Sequence, residues 1–364
     1  MPGETQVHAA VLAGVASGVT PAVSLAYGDS GGDADVFAAG RTQLGDGGEP
    51  VTPDTRFDVA SLTKPVTTTA VLMRLVAEGT VSLDDPLQRF VPAAAGDVTL
   101  AQLVGHSSGY PAHIEFFRRL LAGDLAGQPT ARQAIVQLAA TTPQTYRPGT
   151  QTIYSDLGFI LLATCLERAT GERLDALTER LVTEPLAMRA TGFVDLTASP
   201  PAPRPHPIAA TEVCPYRGLV RGEVHDDNCH AAGGICGHAG LFSTASDLAR
   251  FARAMIAAAR GEPGLFAPAV VRTFISTSAA PETTWRLGWD RPAPLPSQSH
   301  AGDLWPRDGV GHLGFTGCSM WLDPPRGRYA ILLTNRVHPS RDKVGILEVR
   351  RAYMDAAWRA LNAR

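Results

Sequence analysis

The chain opens with a block of small and apolar residues over 6–17 that has the period of an amphipathic helix. Pro21-Ala-Val-Ser-Leu-Ala-Tyr27 is strand-like and stops at Gly28-Asp-Ser-Gly-Gly32. Val36-Phe-Ala-Ala-Gly40 follows as its hairpin partner. Between Pro65 and Glu78, Val66, Ala70, Leu72, Met73, Leu75 and Val76 recur with helical spacing until Gly79 ends the run. Pro65 falls in the first turn, where its missing N–H is tolerated.

From about 82 to 230 the pattern is mostly helical, with candidates at 99–105, 115–122, 130–140, 157–170 and 173–183 and a proline-rich loop over 198–207. After Gly233 helix and strand mix again. Ala245–Arg260 reads as a helix, Ser319–Asp323 and Tyr329–Thr334 as a strand pair around Pro324-Pro325-Arg326-Gly327, and Val344–Ala363 as a closing helix. The expected organisation is α/β (α+β): one domain built from 1–80 and 233–364, with a mostly helical region, 81–232, inserted.

Composition narrows this picture. The 364 residues are 45% hydrophobic and 18% charged, enough for a sizeable core. A net charge of -3 without runs of like charge argues against nucleic-acid binding. No stretch reaches the roughly 18 apolar residues of a membrane span. Five cysteines in a long chain do not form a disulfide framework. Met1-Pro2-Gly3-Glu4 has no basic leader region, so the expected location is cytoplasmic, or periplasmic or secreted where a signal peptide has been removed. The oligomeric state is not readable.

Of the 32 basic residues only Lys64 and Lys343 are lysine. Lysine can be deprotonated in a protein and arginine cannot. Lys64 stands three residues after Ser61, a spacing that puts both on one helical face. Ser-x-x-Lys is a nucleophile–base pattern, and a helix start favours the negative charge that develops there. A second copy, Ser340-Arg341-Asp342-Lys343, lies in a polar stretch after Pro339 and reads as a solvated turn. Gly105-His106-Ser107-Ser108-Gly109 satisfies Gly-x-Ser-x-Gly, but that elbow needs a strand before it. Residues 99–104 read as helix, so a polar turn is expected. Cys229, His230, Cys236 and His238 resemble zinc ligands, yet Cys229 and Cys236 are seven apart, outside the usual Cys-x2–4-Cys spacing. A glycine-rich wall of a cleft is expected there, with His225 or His238 near substrate and no metal.

Three segments in order, Ser61-Leu-Thr-Lys64, Tyr154-Ser-Asp156 and His312-Leu-Gly314, resemble the motifs of the serine β-lactamase-like superfamily. It includes class C β-lactamases, D-alanyl-D-alanine carboxypeptidases, D-aminopeptidases and family VIII esterases. Thr55–Lys64, Leu103–Gly109 and Gly237–Asp247 are similar to common segments of the same group, so the likeness spans nearly the whole chain. It implies an antiparallel sheet flanked by helices and no cofactor. It implies Ser61 as acylated nucleophile, Lys64 as base and Tyr154 as proton relay, with the backbone N–H groups of Ser61 and Phe315 as oxyanion hole. Asp156, His312, Leu313, Gly314 and His238 would line the substrate site.

Two departures modify the expectation. Asp156 replaces the amide of Tyr-x-Asn; an anion there should repel acidic substrates and raise the Lys64 pKa. His312-Leu313-Gly314 replaces Lys-Thr-Gly, keeping a titratable cation but losing the hydroxyl that helps hold a substrate carboxylate. The expected substrate is therefore a small ester, amide or peptide without a free carboxylate. Alternatives are a penicillin-binding D-Ala-D-Ala carboxypeptidase or β-lactamase, a D-aminopeptidase, an acyltransferase, a slowly deacylating sensor and, last, a zinc-binding protein.

Overall fold

A computed structural model describes residues 2–199 and 206–363. Its strands are β1 (Ala22–Asp29), β2 (Asp35–Gly40), β3 (Phe57–Asp58), β4 (Gly192–Phe193), β5 (Val213–Cys214), β6 (Gly218–Leu219), β7 (Leu241–Ser243), β8 (Val310–Leu313), β9 (Ser319–Asp323) and β10 (Arg328–Thr334). Its α-helices are α1 (Pro2–Ala16), α2 (Ala70–Ala77), α3 (Leu87–Phe90), α4 (Leu100–Val104), α5 (Phe116–Leu121), α6 (Ala131–Thr141), α7 (Asp156–Thr170), α8 (Leu174–Thr178), α9 (Asp227–Ala231), α10 (Ala245–Arg260), α11 (Pro268–Ser276) and α12 (Ile346–Asn362). Most of the proline-rich loop expected at 198–207 lies outside the described residues.

An antiparallel five-stranded sheet in the order β2-β1-β10-β9-β8 forms the frame. Strand β1 is apolar on both faces because both are covered. Val23, Leu25 and Tyr27 pack with Val7 and Val11 of α1 and with Tyr353, Met354 and Leu361 of α12. Ala22 and Ala26 join Leu248, Phe251 and Met255 of α10 in the larger core on the other face. Burying both sides of a strand turns alternation into a continuous apolar run. No helix among the described residues is long and apolar enough to cross a membrane.

The expected helices and long strands form, with ends shifted by a few residues. The β-like residues 57–59 ahead of Ser61 form β3, whereas the sequence pattern had not marked α11, strand β8, the strands β7 and β4 that join β3 in a small sheet, or the hairpin β5-β6. The helix expected at 65–78 is wound differently at its start: Ala60–Leu62 is a 3₁₀ turn and Lys64–Thr69 a π-helical turn, ahead of α2. Pro65 has no N–H to give the first turn, and wide turns of this kind recur at functional sites.

Candidate active site

The bend that carries Ser61 is held from three directions. Ala60 takes a left-handed φ of 47°, which costs energy for a residue with a side chain. Buried Asp58 holds it there: one carboxylate oxygen accepts from the Ala60 N–H at 2.8 Å and the other from the His225 N–H at 2.7 Å. The Thr63 hydroxyl donates to the Ala60 carbonyl at 2.6 Å. Across the gap, the Thr316 hydroxyl donates to the Asp58 carbonyl at 2.8 Å, tying the β8–β9 turn to the Ser61 bend. Gly314 makes that approach possible, because a Cβ there would sit 2.5 Å from the Val59 carbonyl oxygen.

Lys64 is fully buried one turn below Ser61. Its Nζ donates to Ser61 Oγ at 3.1 Å, to Asp156 Oδ1 at 2.7 Å and to the His238 carbonyl at 3.2 Å. Tyr154 lies beside it, with Nζ 4.6 Å from the ring centroid. The ring is boxed by His106 (4.5 Å), Trp285 (5.3 Å) and His312 (5.9 Å). Asp156 opens α7, while the N-cap is Ser155, whose hydroxyl accepts from the Gly158 N–H. With Ser155 capping the helix, the Asp156 carboxylate is left to face Lys64.

Charges set the resting state. Burial works to lower the Lys64 pKa, but the Asp156 carboxylate outweighs it and the net direction is up. Burial pushes the Tyr154 phenol up, against the opposing pull of the Lys64 ammonium. Asp156 is buried, which works to raise its pKa, yet Lys64 and His113 hold it well below the usual carboxylate range. At neutral pH the shell therefore holds an ammonium, a carboxylate and a neutral phenol. His113 Nδ1 donates to the second Asp156 oxygen at 3.0 Å, and that bond raises the His113 pKa. His238 pairs with Asp226 at 2.9 Å; burial alone would lower its pKa, but Asp226 lifts it to about 9.

Ser61, Tyr154, Asp156, His238, His312, Leu313, Gly314 and Phe315 all line one cavity of about 630 Å³. His312 differs from expectation: burial first, then the Lys64 charge, push its pKa down to about 3, so it is neutral. Its Nδ1 donates to the Leu313 carbonyl at 2.9 Å. Ser107 is buried in the turn after α4 and does not line the cavity. In the Cys/His segment the Cys229 and Cys236 thiols meet, but the His230 and His238 rings turn away to acids, so the four do not gather as one ligand set. His230 bonds Glu223 at 2.9 Å, while the Cys229 thiol reaches the Ala239 carbonyl. Side chains of ligand type instead gather at His113, Asp156 and Asp226, within 4.8 Å of one another, where Lys64 and His238 already balance the two carboxylates. Nothing in the local sequence around His113, Asp226, Trp285 or Arg336 marked them for this cavity.

Residues 7–353 match the Beta-lactamase family. The chain is 30% identical over 311 residues to a "Putative D-alanyl-D-alanine carboxypeptidase" of Escherichia coli (strain K12), covering 79% of this chain and 70% of that protein. It is 30% identical over 308 residues to an "N-acetylmuramyl-L-alanine amidase" of Bacillus subtilis (strain 168), covering 78% and 68%. Among solved structures, EstCE1, a hydrolase with promiscuous acyltransferase activity, shares the fold with a TM-score of 0.75 at 18% identity, covering 97% of this chain and 98% of that one.

Proposed function

The chain belongs to the Beta-lactamase family and is a serine hydrolase of that type; from this premise we propose that it cleaves an amide or ester of a small peptide through an acyl-enzyme on Ser61. The observation that carries the reading is the Ser61–Lys64–Asp156 chain, 3.1 and 2.7 Å, opening into the cavity. The two relatives are named for cleaving amides of alanine, which favours an alanine-linked amide as substrate.

A protonated Lys64 cannot accept a proton outright. As the Ser61 hydroxyl gives its proton to Lys64 Nζ, Lys64 passes one of its own to Asp156, so the carboxylate is the final acceptor. Ser61 Oγ bonds the substrate carbonyl carbon, and the carbonyl oxygen takes the negative charge. The family likeness assigns the backbone N–H groups of Ser61 and Phe315 to that oxygen; one such donor is typically worth about 3 kcal/mol. The proton returns through Lys64 and Tyr154 to the leaving nitrogen or oxygen as the carbonyl re-forms. Water then attacks the acyl ester by the same path in reverse, restoring Ser61 and releasing the acid.

Intact-mass labelling with a fluorophosphonate, paired with p-nitrophenyl ester turnover, tests this. Adduct and turnover should vanish in Ser61→Ala and persist in Ser107→Ala. The opposite pattern would move the nucleophile to the Gly-x-Ser-x-Gly turn and sink the proposal.

A further inference from the structure

Two cysteines that the acyl chemistry does not use sit against the segment that holds Lys64. Cys229 lies in α9, whose N-cap is Asp226. Cys236 follows a turn that is closed by the Gly234 N–H donating to the Cys229 carbonyl at 2.8 Å. That turn brings the two buried thiols together. Both are free, and a spacing that does not suit zinc suits a pair of sulfurs.

The chain just beyond Cys236 is clamped carbonyl by carbonyl. The Thr68 hydroxyl donates to the Gly237 carbonyl at 2.8 Å, Lys64 Nζ to the His238 carbonyl at 3.2 Å and the Cys229 thiol to the Ala239 carbonyl at 3.3 Å. Ala239 also lines the cavity. At the start of α9 one oxygen, Asp226 Oδ1, accepts both the Cys229 N–H at 2.7 Å and the His238 ring at 2.9 Å. Cys229 therefore bonds to the carboxylate that holds His238 and to the carbonyl just after it. A change at its sulfur reaches the backbone to which Lys64 donates.

The two thiols are not equivalent. Burial pushes the Cys229 thiol up, and the neighbouring Cys236 adds to that. The bond from Cys229 holds Cys236 down against burial, with the His238 and Arg132 charges acting in the same direction. A stabilised thiolate beside a protonated thiol is the arrangement of an attacking and a resolving sulfur. Access is narrow. Cys236 lines a cleft of about 10 Å³ between α6 and α7, beside Arg132 and Gly237. That is room for about one water molecule, so the fitting oxidant is a molecule near that size.

We propose that Cys229 and Cys236 are an oxidation site that hydrogen peroxide closes to an intramolecular disulfide, and that closure slows turnover at Ser61. The Cys236 thiolate attacks one peroxide oxygen, the O–O bond breaks, and the departing hydroxide takes up a proton to become water. Cys236 is then a sulfenic acid. The Cys229 sulfur attacks the Cys236 sulfur, the S–O bond breaks, and the hydroxyl leaves with the Cys229 proton as a second water. The thiol pair gives up two electrons and one peroxide is reduced to two waters. The disulfide carries no S–H, so the Ala239 carbonyl loses its donor and the clamp around Lys64 loosens. The disulfide does not depend on the proposed nucleophile; its link to turnover does.

Peroxide treatment of the reduced full chain, quenched with catalase and blocked with N-ethylmaleimide, tests this. The tryptic peptide 222–250 holds both cysteines and no other. It should become about 2 Da lighter and closed to N-ethylmaleimide. In the same samples kcat/KM for a p-nitrophenyl ester should fall about threefold, the scale of one weak hydrogen bond, and dithiothreitol should restore both. Cys236→Ser should keep reduced-state turnover within about twofold and lose the peroxide response. Should that variant not fold, the wild-type peptide mass decides. A peptide that stays open to N-ethylmaleimide, or that gains about 16 Da instead, overturns the oxidation site. A disulfide that leaves turnover unchanged, or a peroxide loss that persists in Cys236→Ser, overturns the link to the active site. Turnover retained in Ser61→Ala would instead refute the nucleophile, while the peptide mass would still decide the disulfide.

Discussion

The two charged walls of the cavity follow opposite rules. On the His113 side, Asp156 meets Lys64 and Asp226 meets His238, each within 3 Å. On the Phe315 side, Arg341 is paired with Glu212, but Arg336 and Arg350 are bonded to carbonyls and left without counter-charge among the described residues. The difference follows from what each wall handles. Proton transfer needs donor and acceptor prepositioned, so their charges are balanced inside the protein before substrate arrives. The Phe315 side moves no proton, and there neutral acceptors hold Arg336 and Arg350 in place.

Breaking the balanced wall should cost most. Lys64→Arg keeps the charge opposite Asp156 but removes a cation that can give up a proton, so kcat/KM on any acyl substrate should fall about 10²–10⁴-fold. Steady-state kinetics alongside fluorophosphonate labelling would show it; near-normal turnover would mean that Lys64 supplies charge alone.

Asp226→Asn strands the buried His238 charge and should lower unfolding stability by up to about 3 kcal/mol. The sign in pH follows from a folded-state pKa of about 9 against an ordinary 6.5. The pair's contribution is full below pH 6.5 and is lost as pH rises through 9. Thermal unfolding from pH 6 to 10 should show wild type and variant converging toward alkaline pH; a constant gap would place the loss elsewhere.

The smallest effect is expected at the rim. Protonated His113 makes Asp156 a weaker proton acceptor, so kcat/KM for a neutral ester should rise with pH through a limb above 6.5. Glu115, Asp226 and His238 also face His113 and set where the limb falls. His113→Gln should remove the limb and change the plateau by less than about tenfold. A limb unchanged in His113→Gln would take that ring out of the proton path.

The chemistry was legible where it is local. Ser61 and Lys64 are three residues apart, and they meet at 3.1 Å although the turn between them is 3₁₀ and π rather than a plain helix. The helices at 99–105 and 157–170 and the apolar run of β1 were likewise readable, since period and two-sided burial leave their mark in neighbouring residues. Strand β8 was not, because Gly311 and His312 interrupt its apolar pattern and Gly314 follows at once. The two glycines answer to packing: a Cβ on Gly311 would strike the Trp321 ring at 2.3 Å, and one on Gly314 the Val59 carbonyl at 2.5 Å.

The sequence by itself determined the nucleophile–lysine spacing, the order of the motifs and the helices and strands whose burial is periodic, all of which depend on residues close together in the chain. Only the tertiary structure decided the charge of each group. It set His113 and Asp226 beside Asp156, drove His312 neutral in a buried aromatic box, and gave Glu212 to Arg341 while leaving Arg336 without an ion pair among the described residues. Charge state depends on desolvation and on partners tens to hundreds of residues away, and neither is written in local spacing.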